Sequence, residues 1–145
     1  MRRWLNGIFI GIVVLFCACS NTPDAVVMND VNISDWSKTT TLVYNNTAIG
    51  EVDMSIVLHV NRVFSAEEIA LQITMFTPDS LRYTEQVTLP IELKPERPTQ
   101  AATDIEIPYR RNVEFRRKGE YIWQITPTTA LNGVEAAGLS FYIKD

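Results

Sequence analysis

Cysteine and histidine are nearly absent from this chain. Of its 145 residues only two are cysteines and one is a histidine, and both cysteines, Cys17 and Cys19, lie near the N-terminus. The sequence also has no Gly-rich phosphate loop, no Gly-x-Ser-x-Gly motif and no His-Glu-x-x-His motif. These absences argue against a zinc site or a common hydrolase, and they predict a protein that is not an enzyme and binds no metal, cofactor or small-molecule substrate.

A long apolar run is missing as well. The stretch from Trp4 to Phe16 is almost entirely apolar and follows Arg2 and Arg3, but a membrane-spanning helix needs about 20 apolar residues. A basic start, a short apolar stretch and a small residue before the cut are typical of a secretory signal peptide. We therefore expect residues 1–18 to be a cleaved signal peptide.

The end of that segment predicts lipidation. Lipoprotein signal peptidase cuts before a diacylated cysteine that follows a small residue, and Ala18 precedes Cys19. Cys19 then becomes the first mature residue, and its two or three acyl chains, such as palmitate, hold the domain on a membrane. Ser20 follows Cys19 in place of an inner-membrane-retention aspartate, which favours the outer membrane and a periplasm-facing domain. No thiol remains for a disulfide, a metal or catalysis.

Basic charge is scarce in the mature chain. Once Arg2 and Arg3 are removed, the basic residues fall from 13 to 11 against 17 acidic ones, which gives a net charge of about −6. A net acidic chain without a long basic run argues against a nucleic-acid partner and against electrostatic attraction of the whole chain to anionic lipid headgroups, so we expect the lipid to provide the anchor.

Period-two alternation dominates the remainder. We expect a lipidated N-terminus and tether over residues 19–30, with a first strand that begins within about 26–33, and one β-domain over 31–145. Only Ser65–Ala70 looks helical, because Ser65 and Glu68 form a capping-box pattern. Seven or eight short antiparallel strands with one apolar face each predict an immunoglobulin-like β-sandwich. The alternating segments are Met54–Val60, Leu71–Met75, Val87–Ile91, Ile105–Ile107, Tyr121–Ile125 and Leu139–Ile143.

Five cations are concentrated in one short segment, which we expect to form a hairpin with its flanks: Arg110, Arg111, Arg116, Arg117 and Lys118. Charge on an edge strand protects it against pairing with other chains. The alternative is a docking patch for an acidic partner or a polyanionic glycan.

Three other residues, His59, Trp36 and Ser80, each have a structural and a functional interpretation. His59 falls on the polar side of its strand and has no carboxylate near it in sequence, so we expect a solvated side chain. Trp36 is either a core residue or, with Tyr44 and Tyr83, part of an exposed sugar-binding platform. Asp79-Ser80-Leu81 matches a pattern of periplasmic O-glycosylation at Ser80 and is also ordinary turn chemistry.

The C-terminal third contains five short motifs in a characteristic order: Ile107-Pro108-Tyr109, Val113-x-Phe115, Gly119-x-Tyr121, Leu131-x-Gly133-Val134 and Gly138-Leu139. In these motifs the chain resembles a divergent member of the gliding-motility lipoproteins of Bacteroidetes (GldH type). The resemblance implies an accessory protein of the envelope machinery that moves surface adhesins and supports type IX secretion, with protein partners and no catalytic residues. The alternative is a glycan-binding or surface-coat lipoprotein, and a hydrolase is a minor third interpretation.

Overall fold

The structure is a computed structural model that describes residues 22–92 and 102–144. The predicted signal peptide and Cys19 lie outside these residues. Within them the chain forms strands joined by loops, and the eight strands are β1 (Ala25–Asp30), β2 (Thr40–Asn46), β3 (Gly50–Asn61), β4 (Glu68–Phe76), β5 (Arg82–Pro90), β6 (Ala102–Phe115), β7 (Gly119–Pro127) and β8 (Val134–Ile143).

The strands form two antiparallel four-stranded sheets that face each other. One sheet has the order β1-β8-β3-β6 and the other the order β2-β7-β4-β5. The prediction of an all-β sandwich of seven or eight antiparallel strands is therefore confirmed. The period-two pattern correctly predicts which residues face the interior. For example, Ile56 and Leu58 in β3 are fully buried.

Strand pairing is nested along the chain. The first strand pairs with the last, β2 with β7, β3 with β6 and β4 with β5. This order is the connectivity of an eight-stranded jelly roll, which shares the two-sheet architecture of immunoglobulin-like domains. Alternation reports which residues face the core, but it does not report which strand lies beside which, so the sequence left this order open.

The core contains a cluster of aromatic rings contributed by both sheets. The rings of Tyr44 on β2 and Phe141 on β8 stack with their centroids 4.1 Å apart, which joins the two sheets directly. Phe115 stacks on Tyr121 with a centroid separation of 4.6 Å, and Trp123 is 1% exposed. Aromatic residues bury more apolar area than other side chains, so this cluster contributes strongly to stability.

Two sequence predictions about local structure are wrong. Ser65–Ala70 is not helical: the chain turns at 62–64 and enters β4 at Glu68, which pairs with Pro90. Burial of Ile69 and Leu71 on alternate positions outweighs the weak helix propensity of a short segment. The segment 19–30 is not a tether throughout, because β1 begins at Ala25 and pairs with Phe141.

The register places five loop or terminal segments at one end of the sandwich. We call it the Asp24 end, and it comprises Asp24, loops 47–49 and 116–118, the hairpin 77–81 and Lys144. Ile143 donates its backbone N–H to Asp24 at 2.7 Å, and Asn46 lies opposite Gly119. The opposite end, which we call the far end, comprises loops 31–39, 62–67 and 128–133.

Candidate functional site

The two sheets close against each other along one side and separate along the other. On the closed side, the edge strands β1 and β2 are joined by a hydrogen bond from the Asn29 side chain to the Thr41 carbonyl at 2.5 Å. On the open side, the edge strands are β5 and β6. A cleft runs between β5 and β6, and we take it as the candidate functional site.

The cleft has two adjoining cavities, of about 800 Å³ and 480 Å³. Met75, Tyr83 and Val113 line both cavities, so the two form one continuous cleft. Its lining is mixed: Phe115 and Trp123 contribute apolar surface, and charged residues such as Glu85, Arg116 and Arg117 contribute about as much polar surface. A concave site that combines apolar side chains with polar groups is suited to binding.

A clasp of three residues crosses the open side. Glu85 on β5 accepts a hydrogen bond from the Tyr109 hydroxyl on one carboxylate oxygen and from the Arg110 guanidinium on the other. Burial and the Glu85 carboxylate both raise the pKa of Tyr109, with burial the larger cause. The hydrogen bond to Glu85 is the main cause that raises the pKa of Arg110. The clasp is therefore an ion pair between Glu85 and Arg110, and the neutral Tyr109 hydroxyl donates a further hydrogen bond to Glu85.

An irregularity in β6 makes this clasp geometrically feasible. Met54 on β3 lies opposite Arg110, whereas the next residue, Ser55, lies opposite Pro108, so Tyr109 is an additional residue in β6. A β-bulge of this kind places consecutive side chains on one side of a strand. A second shift follows at Asn112, which has a φ of 55° and donates its N–H to the Asp53 carboxylate at 2.8 Å.

The prediction that the five cations share one hairpin is wrong. β6 and β7 belong to different sheets, and residues 116–118 cross from one to the other. The sheets of a sandwich pack about 10 Å apart, a distance that three extended residues span. Arg110 and Arg111 lie on the edge strand β6, and the remaining three cations lie at the Asp24 end.

These five side chains have different surroundings. Arg110 is held by Glu85, whereas Arg111 lies with Asp53 and Glu106 beside the outer face of its sheet. Arg116 pairs with Glu114 at 3.3 Å and Arg117 with Asp79 at 3.2 Å. Lys118 is exposed. Arg110, Arg116 and Arg117 line the cleft, and the other two do not.

The Gly-x-Tyr motif anchors the loop that carries three of these cations. The Tyr121 hydroxyl donates a hydrogen bond to the backbone carbonyl of Arg117 at 3.0 Å, and the Asn46 side chain donates to the same oxygen at 2.9 Å. A tyrosine that bonds back to the backbone upstream is also found at a corner of immunoglobulin sandwiches. These bonds fix the path of residues 116–118.

The expected aromatic platform is not formed. Trp36 is 2% exposed and donates its indole N–H to Thr40, which confirms the core interpretation. Tyr44 is stacked inside the sandwich. Tyr83 is 57% exposed and lines the cleft. The alternative glycan-binding hypothesis requires two or three exposed coplanar rings among these residues, and only Tyr83 is exposed.

His59 has two carboxylate neighbours that the sequence did not indicate. Its Nδ1 lies 2.6 Å from Asp104 and its Nε2 lies 3.4 Å from Glu135. These partners belong to β6 and β8, and only cross-strand register brings them beside β3. In residues 22–92 and 102–144, no group of three or more histidines, cysteines and acidic residues is arranged to hold a metal ion.

Ser80 lies in an exposed position of the β4–β5 hairpin, with a φ of 66°. The predicted loop position is therefore confirmed, and glycosylation of Ser80 stays a prediction. Within the described ranges, no helix is long and apolar enough to span a bilayer. No protein-family model matches the chain, and no curated protein or solved structure matches it either.

Proposed function

We propose that this chain is a non-enzymatic lipoprotein, anchored at the outer membrane through Cys19, that supports surface motility and its associated secretion machinery by binding a protein partner. The signal-peptide pattern that ends at Cys19 supports the anchor, and the motifs from Ile107 to Leu139 support the gliding-motility relationship. The observation that carries the binding role is the cleft between β5 and β6.

The backbone along this cleft is available for pairing. Among the described strands, β5 pairs only with β4, and β6 pairs only with β3. An edge strand presents free N–H and C=O groups, to which an extended segment of another protein adds as a further strand. The partner that fits is therefore an extended protein segment rather than a globular face.

The side chains specify the chemistry of that segment. Met75 and Val113 on the cleft walls accept apolar side chains, and the exposed ring of Tyr83 provides a large contact surface. Tyrosine and arginine are the residue types that contribute most binding energy at interfaces. Since Arg110, Arg116 and Arg117 line the cleft, we expect the partner segment to combine alternating apolar residues with carboxylates.

A site-specific crosslink in living cells tests this proposal. A photo-crosslinking amino acid in place of Tyr83 is expected to trap one envelope protein through an extended segment. Mass spectrometry of the crosslinked peptide is expected to identify that protein as part of the motility or secretion apparatus. The matched control is the same group at Val43, which is 48% exposed on the outer face of β2, the opposite edge strand of the same sheet. Equal yields of the same crosslinked product from both positions would exclude the cleft as the binding site.

Charge reversal provides an independent measurement. In a variant with Arg110→Glu and Arg117→Glu, two residues that line the cleft, recovery of the same partner is expected to fall by about tenfold, since interfacial charge pairs of this kind contribute at least 1–2 kcal/mol. Unchanged recovery, with the variant still folded by circular dichroism, would remove the β6 edge from the interface.

A further inference from the structure

We propose that the Asp24 end is a membrane-contact surface, which docks on anionic phospholipid headgroups and fixes the orientation of the sandwich on the bilayer. This inference rests on the proposed lipidation of Cys19. The proposed surface shares Leu81, Arg116 and Arg117 with one margin of the cleft, and it adds a second, non-covalent contact with the membrane.

The length of the chain before β1 limits where the domain sits. Five residues, Ser20 to Asp24, separate Cys19 from Ala25, and five residues span at most about 18 Å when fully extended. A strand of nine residues, such as β7, is about 30 Å long. The anchor therefore holds the Asp24 end beside the bilayer, and the far end has no comparable tether.

Charge is distributed unequally between the two ends. Apart from Lys38 and Arg62, every lysine and arginine in the described residues lies in the half of the sandwich nearer to Asp24. Arg116, Arg117, Lys118 and Lys144 stand in its loops and at its strand end. The far half contains most of its charge as carboxylates: Asp30, Asp35, Glu67, Glu68, Glu92, Asp104, Glu106 and Glu135.

Acidic residues at the Asp24 end moderate this contrast without reversing it. Asp79 pairs with Arg117, and Asp53 pairs with Lys144 at 3.3 Å. Asp24, Glu51, Glu85, Glu114 and Glu120 also lie in this half. The near half is thus close to neutral while the far half is strongly acidic. An anionic bilayer repels the far end and accepts the Asp24 end.

Exposed apolar side chains are present at the same end. Ile49 is 65% exposed in the loop 47–49, Leu81 is 50% exposed in the hairpin 77–81, and Ile143 is 40% exposed at the end of β8. Aliphatic side chains beside lysine and arginine are the composition of protein surfaces that insert shallowly between headgroups. Each of the three side chains lies in a different segment, and the register brings them to one surface.

The test uses the mature lipidated protein in vesicles of phosphatidylcholine and phosphatidylglycerol that carry a lipid-borne fluorescence quencher. One fluorophore is attached through A48C at the Asp24 end or, as the matched control, through A130C at the far end. Both alanines are exposed loop residues. We expect the label at A48C to be quenched several-fold more strongly than the label at A130C. Equal quenching, or stronger quenching at A130C, overturns the inference.

Charge reversal separates a lipid-specific contact from simple proximity. The double substitution R116E/K118E is expected to lose much of the quenching at A48C, and omission of phosphatidylglycerol is expected to have the same effect. The matched variant K38E/R62E, with the same change in net charge at the far end, leaves quenching unchanged. Equal responses of the two variants overturn the inference.

Vesicle flotation distinguishes a failure of the proposed orientation from a failure of the lipid anchor. Protein that floats with the vesicles but shows equal quenching at both ends contradicts only the orientation. Protein that does not float contradicts the lipid anchor, and with it both the proposed function and this inference.

Discussion

The backbone carbonyl oxygen of Val27 lies 2.0 Å from the position that a Cβ atom would occupy at Gly138. Gly138 is buried on β8 and lies opposite Met28 on β1, whose Cα is 2.8 Å from the same position. A backbone atom cannot move aside as the end of a flexible side chain does. Only glycine therefore allows β1 to approach β8 this closely.

Gly138→Ala is expected to displace β1 from the sheet. Overpacking of a buried position costs about 1–3 kcal/mol of unfolding free energy, which urea denaturation measures. Hydrogen exchange should increase for the amides of β1, whereas the amides of β4, in the other sheet, should keep their protection. Unchanged protection of β1 would show that the two strands accommodate the methyl group.

Tyr121→Phe removes one of the two hydrogen bonds to the carbonyl of Arg117. Because Tyr121 is 4% exposed, we expect a loss of about 1 kcal/mol of unfolding free energy. We also expect the loop 116–118 to exchange its amides faster. Tyr83→Phe is the control, since it deletes the same hydroxyl from an exposed ring and should leave stability within about 0.5 kcal/mol.

Tyr109 and Tyr142, two of the three tyrosines with raised pKa values, predict a loss of stability at alkaline pH. Burial and Glu85 raise the pKa of Tyr109, and burial and Glu106 raise the pKa of Tyr142 to about 12. A group whose pKa is raised in the folded state contributes stability that is fully present below its unfolded-state pKa, which is about 10 for tyrosine. This stability is lost as the pH rises through the folded-state pKa.

Thermal unfolding followed from neutral pH to above pH 10 tests this expectation. The wild-type melting temperature should begin to fall near pH 10, and the fall should be shallower in the variant with Tyr109→Phe and Tyr142→Phe. Parallel curves for the two proteins would show that these hydroxyl groups are not the source of the alkaline transition.

Asp53 predicts a complementary loss of stability in acid. The N–H of Asn112, followed by Lys144, lowers the pKa of its carboxyl group. A lowered folded-state pKa contributes stability that is present above the unfolded value of about 3.8 and is lost as pH falls through the folded value. Asp53→Ala should therefore lower the melting temperature at pH 7 more than at pH 3, and an equal decrease at both would contradict this origin.

The sequence predicts much of this fold because side-chain alternation is a local property. Met54, Ile56, Leu58 and Val60 identify one face of β3 as interior, and similar patterns locate the other strands. The order of the strands is a non-local property and leaves no such pattern. The helix expected at Ser65–Ala70 shows the same limit, since its pairing with β5 outweighs a local capping pattern.

The candidate site was accessible to sequence reasoning only in part. The concentration of arginines drew attention to β6, but their division into two groups depends on a sheet-to-sheet crossing. The partners of His59 and the clasp around Glu85 involve residues on other strands, from 24 to 76 positions away along the chain. The sequence predicts that Tyr83 could be exposed, but it does not predict that Tyr83 lies beside a cleft.

The pairing of β1 has a mechanical consequence. Tension on the chain before Ala25 acts along the axis of β1, whose ladder to β8 runs from Ala25 to Asp30. When the opposing force acts at the far end of the sandwich, the load shears this ladder and its backbone hydrogen bonds bear the force together; when it acts at the Asp24 end, the hydrogen bonds break one after another. The resistance of the domain to a pull on its N-terminus therefore depends on which end its partner holds.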